Sequence, residues 1–314
     1  MGQIVSLAFR SVFPLLALML LGIFLRSSGM LSEATITQLN KICTKVFIPC
    51  LLFNNVYTAN LHEAFQLRLF AFELTCTLLI AASLYLLVPR LIRDRNTQCS
   101  YACSLYWPNC TMFGLPILTS LCGAEGTLTG TIMIVTIAPL FSAGAAVFLE
   151  RYKSRGHLNG RQLLAHVFAN PMLWGSILGV SCNLLRIRLP HVILNPIRSV
   201  AGIATPLALI CLGGFFKWES SRHLFQPALL GCLCKLLLIP TIVALLALLC
   251  GYSGLHVLCL LIIFASPSAV STFSITDPSF ANCELSAMLV SLSSILSVFT
   301  YFFWIVLYQS LAQY

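Results

Sequence analysis

Residues Leu105–Pro116 read LYWPNCTMFGLP, with two prolines, an asparagine and a glycine inside an otherwise apolar region. Proline removes a backbone donor, and its ring clashes with the carbonyl four residues earlier, so no regular α-helix runs through this stretch undisturbed. A second stretch, IIFASPSAVSTFS over Ile262–Ser274, again sets a proline among small polar residues within an apolar run. What surrounds these two breaks decides the fold.

The chain has 314 residues, 59% hydrophobic and only 9% charged, with a mean hydropathy of +0.93. Soluble domains carry about 25% charge. No water-soluble core absorbs this much apolar surface, so the expected fold is an all-α membrane protein. Apolar runs of about 20 residues suit helices, whereas barrel strands would alternate. The net charge of +9 is scattered over short loops, where it sets topology, and no nucleic-acid partner is expected. Most of the fourteen cysteines fall in apolar runs, among them Cys43, Cys50, Cys76, Cys211, Cys232 and Cys259. They form no CxxC pair or zinc-spaced Cys/His cluster, so they read as reduced fillers, and no metal or cofactor is expected. The opening MGQIVS fits a myristoylation pattern formally, but a chain with many spans needs no lipid anchor. The first apolar run has no small-residue cleavage site after it and reads as a retained span.

Ten spans are expected, at roughly 8–26, 36–58, 67–92, 99–121, 127–150, 163–185, 194–216, 224–250, 255–276 and 284–311. The longest polar segment, RYKSRGHLNGRQ at residues 151–162, separates two groups of five, residues 1–150 and 163–314. With the N-terminus outside, the inner loops hold Arg26, Arg90, Arg93, Arg95, Arg151, Lys153, Arg155, Arg161, Lys217 and Arg222. The outer segments hold only Arg10, Arg68, Arg186 and Arg188. The positive-inside rule therefore puts loop 151–162 in the cytoplasm and both termini outside. The halves also echo each other: Pro14 and Pro171, Gly22 and Gly179, and Pro49 and Pro206 each stand 157 residues apart. With a two-residue gap Pro108 falls on Pro267. An odd number of spans per repeat turns the second copy upside down, a frequent plan in secondary transporters.

Taken singly, Pro108, Pro116 and Pro267 read as ordinary kinks, which membrane helices tolerate. Their matched positions, beside Asn109, Ser266 and Ser268, favour paired breaks. Two such breaks meeting at mid-membrane present free N–H groups and positive dipole ends, which attract an anion without a buried lysine or arginine.

PNCTMFGLPILTSLCG (Pro108–Gly123) resembles the fourth-span motif of the auxin efflux carriers, the plant exporters and their bacterial relatives. LNKICTKVFIPCLLF, NPMLWGSILG, ATPLALICLGG, KLLLIP and ASPSAV match in family order over nearly the whole chain. The loop between halves is short, as in compact bacterial members, so the expected location is the plasma (bacterial inner) membrane. The resemblance implies ten helices in two inverted five-helix repeats, with spans four and nine crossing at their breaks. Spans one, two, six and seven would form a scaffold, often dimeric, and the rest a moving transport domain. It also implies that Pro108, Asn109 and Pro267 bind substrate, the asparagine contacting a carboxylate. From the residues themselves come Ser266, Ser268, Ser271 and Thr272, whose hydroxyls serve either the substrate or the helix backbone. Asn54 and Asn55 end span two, where they either cap the loop or face the crossover.

Ionisable residues inside spans are functional candidates by default. Lys235, which matches a basic residue of the family, either ties the transport domain to carbonyls or couples an ion. Glu73 and Lys45 either meet as a protonation-sensitive pair or snorkel to the interface separately. Lys41 matches the family's basic residue near the inner surface. Asp277 reads as a turn residue and Glu284 as a first-turn carboxylate. The sodium-coupled bile acid transporters share this architecture but use carboxylate-bearing cation sites. Neither broken stretch holds an acid, so sodium coupling is disfavoured and the driving force stays open. The expected function is a secondary carrier moving a small organic carboxylate by alternating access. Family members handle indole acetate or dicarboxylates such as malate; the lack of a crossover arginine favours a monocarboxylate. The alternatives are a non-transporting membrane sensor or scaffold, and a channel. No Ser/His/Asp set, HExxH or paired mid-span acids support an enzyme.

Overall fold

The computed structural model describes residues 2–58, 66–153, 171–215, 224–269, 272, 276 and 279–311. Among these residues the fold is all-helical, with one isolated antiparallel bridge, Pro108 to Ser268, and no strand. The helices are α1 (Gly2–Ser27), α2 (Glu33–Tyr57), α3 (Leu67–Leu91), α4 (Arg95–Tyr106), α5 (Leu115–Lys153), α6 (Pro171–Leu184), α7 (His191–Phe215), α8 (Phe225–Leu249), α9 (Gly254–Phe264) and α10 (Cys283–Leu311). Among the described residues six stretches are long and apolar enough to cross a membrane: α2, α3, α7, α8, α10 and the run Cys110–Leu149.

Helix ends follow local chemistry. Ser32 caps α2 by accepting from the Thr35 N–H, and Asp94 caps α4 by accepting from the Thr97 N–H at 2.7 Å. Hydrogen bonds from Thr97 hold the Asp94 carboxyl below the usual carboxylate range. Prolines leave wider turns behind them. Pro49 follows the π turn Cys43–Phe47 in α2, and Pro240 follows Cys234–Leu238 in α8. Pro240 cannot donate to the Leu236 carbonyl, and the Trp304 indole N–H of α10 takes that carbonyl at 2.9 Å.

The 39 residues of α5 would make a straight rod of about 58 Å, roughly twice the hydrocarbon thickness. The helix instead folds back at Gly123, which adopts φ 58°, ψ −136°. Thr127 and Thr119, about 12 Å apart in a straight helix, hydrogen-bond at 2.8 Å across the reversal. The expected gap between spans four and five is therefore this reversal. The expected fourth span 99–121 divides into α4 and the first arm of α5. The sixth, 163–185, is described from Pro171 only, and most of loop 151–162 lies outside the described residues.

Helix pairs α1–α7 and α2–α6 are among the most extensively packed. A Cβ at Gly22 would collide with the Ile210 carbonyl, and one at Gly213 with the Met19 carbonyl. At the other pair, a Cβ on Gly179 would lie 2.9 Å from the Phe53 carbonyl oxygen. Small residues let these backbones touch, as membrane helix packing favours. At one end Arg95 donates to the last α5 carbonyls, of Arg151 and Tyr152, and Arg151 stacks over Tyr85 at 3.5 Å. At the far end of α3, Arg68 donates to the Cys250 carbonyl and sits over the Tyr252 ring. These contacts give a direct test: Gly22→Ala should destabilise the protein by about 1–3 kcal/mol, because a carbonyl cannot yield as a side chain does. Gly202→Ala, where nothing lies within 4 Å, should be neutral or slightly stabilising. Thermal unfolding of the two variants in detergent reads the difference.

Candidate functional site

The two proline-bearing stretches meet. Helix α4 ends at Tyr106, and the chain runs extended through Trp107 and Pro108 before the π turn Cys110–Gly114 restarts the helix. Helix α9 ends at Phe264, and Ala265–Ala269 run antiparallel to the first break. The Asn109 N–H donates to the Pro267 carbonyl at 2.7 Å, and the Ala269 N–H to the Trp107 carbonyl at 2.9 Å. Each broken helix thus satisfies the other's backbone, as the low dielectric of a membrane interior demands.

The carbonyls released by the breaks are met as well. Because the Asn109 N–H turns to Pro267, the Leu105 carbonyl loses its helical donor, and Lys235 Nζ of α8 donates to it at 2.9 Å. An ammonium at the C-terminal end of α4 also suits the helix dipole. In the other break the Ser266 N–H bonds Ile263, which frees the Ile262 carbonyl. The hydroxyls of Ser266 and Tyr301 donate to Ile262 at 3.0 and 3.3 Å, and Tyr301 also donates to Ser266 Oγ at 2.8 Å. The Ser268 N–H donates to Ser293 Oγ at 3.1 Å.

What is left over lies at Asn109. This residue is 7% exposed, and its Nδ2 is buried without a hydrogen-bond partner. It stands directly before the N-terminal turn Cys110–Met112, whose N–H groups have no carbonyl one turn earlier. A buried amide with two unused donors, beside the start of a helix, is chemically complementary to a carboxylate.

The structure brings Pro108, Asn109, Ser266, Pro267 and Ser268 together. Thr272 is buried nearby in sequence, its hydroxyl donating to the Ala269 carbonyl. Ser271 and Asp277 lie outside the described residues. Asn54 is half-buried in α2 with its Oδ1 unpartnered, and Asn55 Nδ2 donates to Thr131 of α5 at 3.5 Å; the loop that follows, residues 59–65, lies outside the described residues. Lys45 and Lys41 are exposed, and no ion pair joins Lys45 to Glu73; the ion pair seen among the described residues is Arg26–Glu33. Glu284 is exposed in the first turn of α10. Glu73 and Lys235 are the buried charged side chains among the described residues. Sequence reasoning missed Ser293, Tyr301 and Trp304. Their signal is the polar stripe Ser293, Ser294, Ser297, Tyr301 at helical spacing in an apolar run.

The family described as membrane transport protein matches residues 7–157 and 150–305. An uncharacterized transporter of Methanothermobacter thermautotrophicus is 27% identical over 303 residues, covering 94% of this chain and 96% of its own.

The role of Lys235 as a cap for α4 can be measured directly. Lys235→Met leaves the buried Leu105 carbonyl unpaired and should lower stability by about 1–3 kcal/mol. A melting temperature equal to wild type in detergent would show that the bond contributes nothing.

Proposed function

The chain belongs to the membrane transport protein family, that of the auxin efflux carriers, and from that premise we propose a secondary carrier that moves a small organic carboxylate by alternating access. The substrate carboxylate accepts from Asn109 Nδ2 and from the free N–H groups that open the Cys110–Gly114 turn. The observation that carries this reading is the buried, unpartnered Asn109 amide at the crossing of the two breaks. Ser266 and Ser268 shape the opposite wall, although the Ser266 hydroxyl already donates to the Ile262 carbonyl and accepts from Tyr301, and the Ser268 N–H donates to Ser293 Oγ. The lack of an arginine beside Asn109 favours a monocarboxylate over a dicarboxylate.

On this reading residues 1–150 and 163–314 are inverted five-span repeats joined by a cytoplasmic loop, 151–162, with both termini outside. Several contacts support the symmetry. Gly22 meets the Ile210 carbonyl and Gly179 meets the Phe53 carbonyl. Gly22 and Gly179 are 157 residues apart, as are Phe53 and Ile210. One contact is therefore the counterpart of the other under exchange of the halves. Helices α1, α2, α6 and α7, locked by these backbone contacts, are the scaffold, and α3–α5 with α8–α10 carry the crossover.

A thermal-shift screen of organic acids on purified protein should yield a monocarboxylate whose stabilisation grows with concentration. Asn109→Ala should fold normally and lose at least tenfold in affinity for that ligand, about 1.4 kcal/mol, together with its uptake into proteoliposomes. Uptake unchanged in this variant would remove the site.

A further inference from the structure

Glu73 has no role in the crossover chemistry, yet its placement asks for one. It lies in α3, seven residues after Gln66, and is 1% exposed. Neither carboxylate oxygen has a hydrogen-bond partner. It lines a recess with Thr129, Met133 and Thr136 of α5, with room for about one water molecule. Among the residues lining the recess the exposed one is Gln66, at the N-terminal end of α3. The Thr136 hydroxyl beside Glu73 is within reach of the carboxylate, but it donates to the Ile132 and Met133 carbonyls of its own helix.

Among the described residues, the groups facing Glu73 offer no counter-charge. Within electrostatic reach are three thiols: Cys76 on α3, Cys110 at the crossover and Cys259 on α9. Cys250, where α8 ends, is within reach of Cys76. Arg68, on the same helix, is engaged with the Cys250 carbonyl and the Tyr252 ring. Lys235 of α8 is engaged with the Leu105 carbonyl. An ionised carboxylate buried without a cation or a donor costs several kcal/mol. The site is complete only with a positive charge on the carboxylate. A hard metal cation wants several oxygen ligands, whereas this recess offers one carboxylate, two threonine hydroxyls and Gln66. A proton needs the carboxylate alone.

We propose that Glu73 is a proton-binding site, reached from the Gln66 end of α3, whose occupancy is coupled to that of the anion at Asn109. The coupling is electrostatic and rests on the carrier reading above. Cys110 is next to Asn109 and within the field of Glu73. A substrate carboxylate at Asn109 and an ionised Glu73 repel each other in a low-dielectric interior. A proton on Glu73 relieves that repulsion, and by linkage a bound anion draws the proton on. At a pH where Glu73 is ionised in the empty carrier, the carboxylate takes one proton from solution on loading and returns it on release. In that range the pair of sites, loaded with a monocarboxylate, carries no more negative charge than the empty carrier.

The test uses the full chain in lipid nanodiscs and follows the carboxyl infrared bands against pH, with the proton itself as probe. Wild type should show a protonated-carboxyl band at neutral pH, insensitive to sodium chloride, that Glu73→Gln lacks and Glu73→Asp shifts. The absence of any such band, its survival in Glu73→Gln, or its loss on adding sodium overturns the proton site. In proteoliposomes holding a pH dye, at a pH where the empty carrier has lost that band, inward gradients of indole acetate or malate should carry protons with wild type and anion alone with Glu73→Gln. Anion affinity should fall by up to about tenfold per pH unit as Glu73 ionises in wild type and stay flat in Glu73→Gln. Equal proton movement in the two overturns the coupling. If neither anion enters with wild type or with Glu73→Gln while the infrared band persists, the carrier reading and the coupling fall and the proton site stands.

Discussion

Two peptide hydrogen bonds, Asn109 to Pro267 and Ala269 to Trp107, hold the rest of this molecule to its shape. Water is scarce inside an apolar helical bundle, so an unpaired backbone group costs several kcal/mol and cannot be left to solvent. A single broken helix has no way to meet that demand. A second break, running antiparallel against the first, meets it by exchanging one donor and one acceptor each way. Pro108 and Pro267 have no N–H to offer, so the exchange uses Asn109 and Ala269 and leaves no proline donor missing. The position of Asn109 is thereby fixed by its backbone, which frees its side chain.

The same demand explains α8 and α10. The crossing bond from Asn109 and the bond from the Ser266 N–H to Ile263 each take an N–H away from a carbonyl one turn earlier, and that carbonyl needs a new donor. Lys235 serves Leu105, Tyr301 and Ser266 serve Ile262, and Trp304 serves Leu236, the carbonyl orphaned by Pro240. The polar atoms of these apolar helices are thus placed by prolines in other spans. Tyr106 plays a parallel part, its hydroxyl donating to the Leu140 carbonyl in the second arm of α5 while its ring fills the space over Gly144.

Much of this was legible in the residues. Proline states its own position, so the breaks at Pro108 and Pro267 could be read directly, and apolar run length placed the ends of α2, α3, α7, α8 and α10 within about three residues. Partners remote in sequence could not be read. Lys235 and Leu105 are 130 residues apart, and nothing local marks that carbonyl as orphaned. The possible pairing of Glu73 with Lys45 follows from charge alone. Packing put Lys45 on an exposed face of α2 and Glu73 against α5, so the two stay apart. The fold-back at Gly123 looked like an ordinary loop, because a reversal without turn-forming polar residues keeps a helical pattern on both sides.

The contacts also divide the molecule into parts that can and cannot shift. Gly22, Gly213 and Gly179 bring helix backbones so close that one added carbon meets a carbonyl, and α1–α7 and α2–α6 have no slack. The crossover is equally fixed, since sliding α4 against α9 breaks two buried hydrogen bonds between peptide groups at once. Between these blocks the contacts are of another kind. Where α1 packs on α10 and α2 on α5, no glycine brings the backbones together among the described residues, and the polar contact seen there between α2 and α5 is the long 3.5 Å bond from Asn55 to Thr131. Side chains can change rotamer at modest cost, whereas a buried peptide group cannot change partner without passing through an unpaired state. Any rearrangement that leaves the helices intact must therefore concentrate at those side-chain interfaces, carrying Asn109 and Glu73 with the crossover as one body.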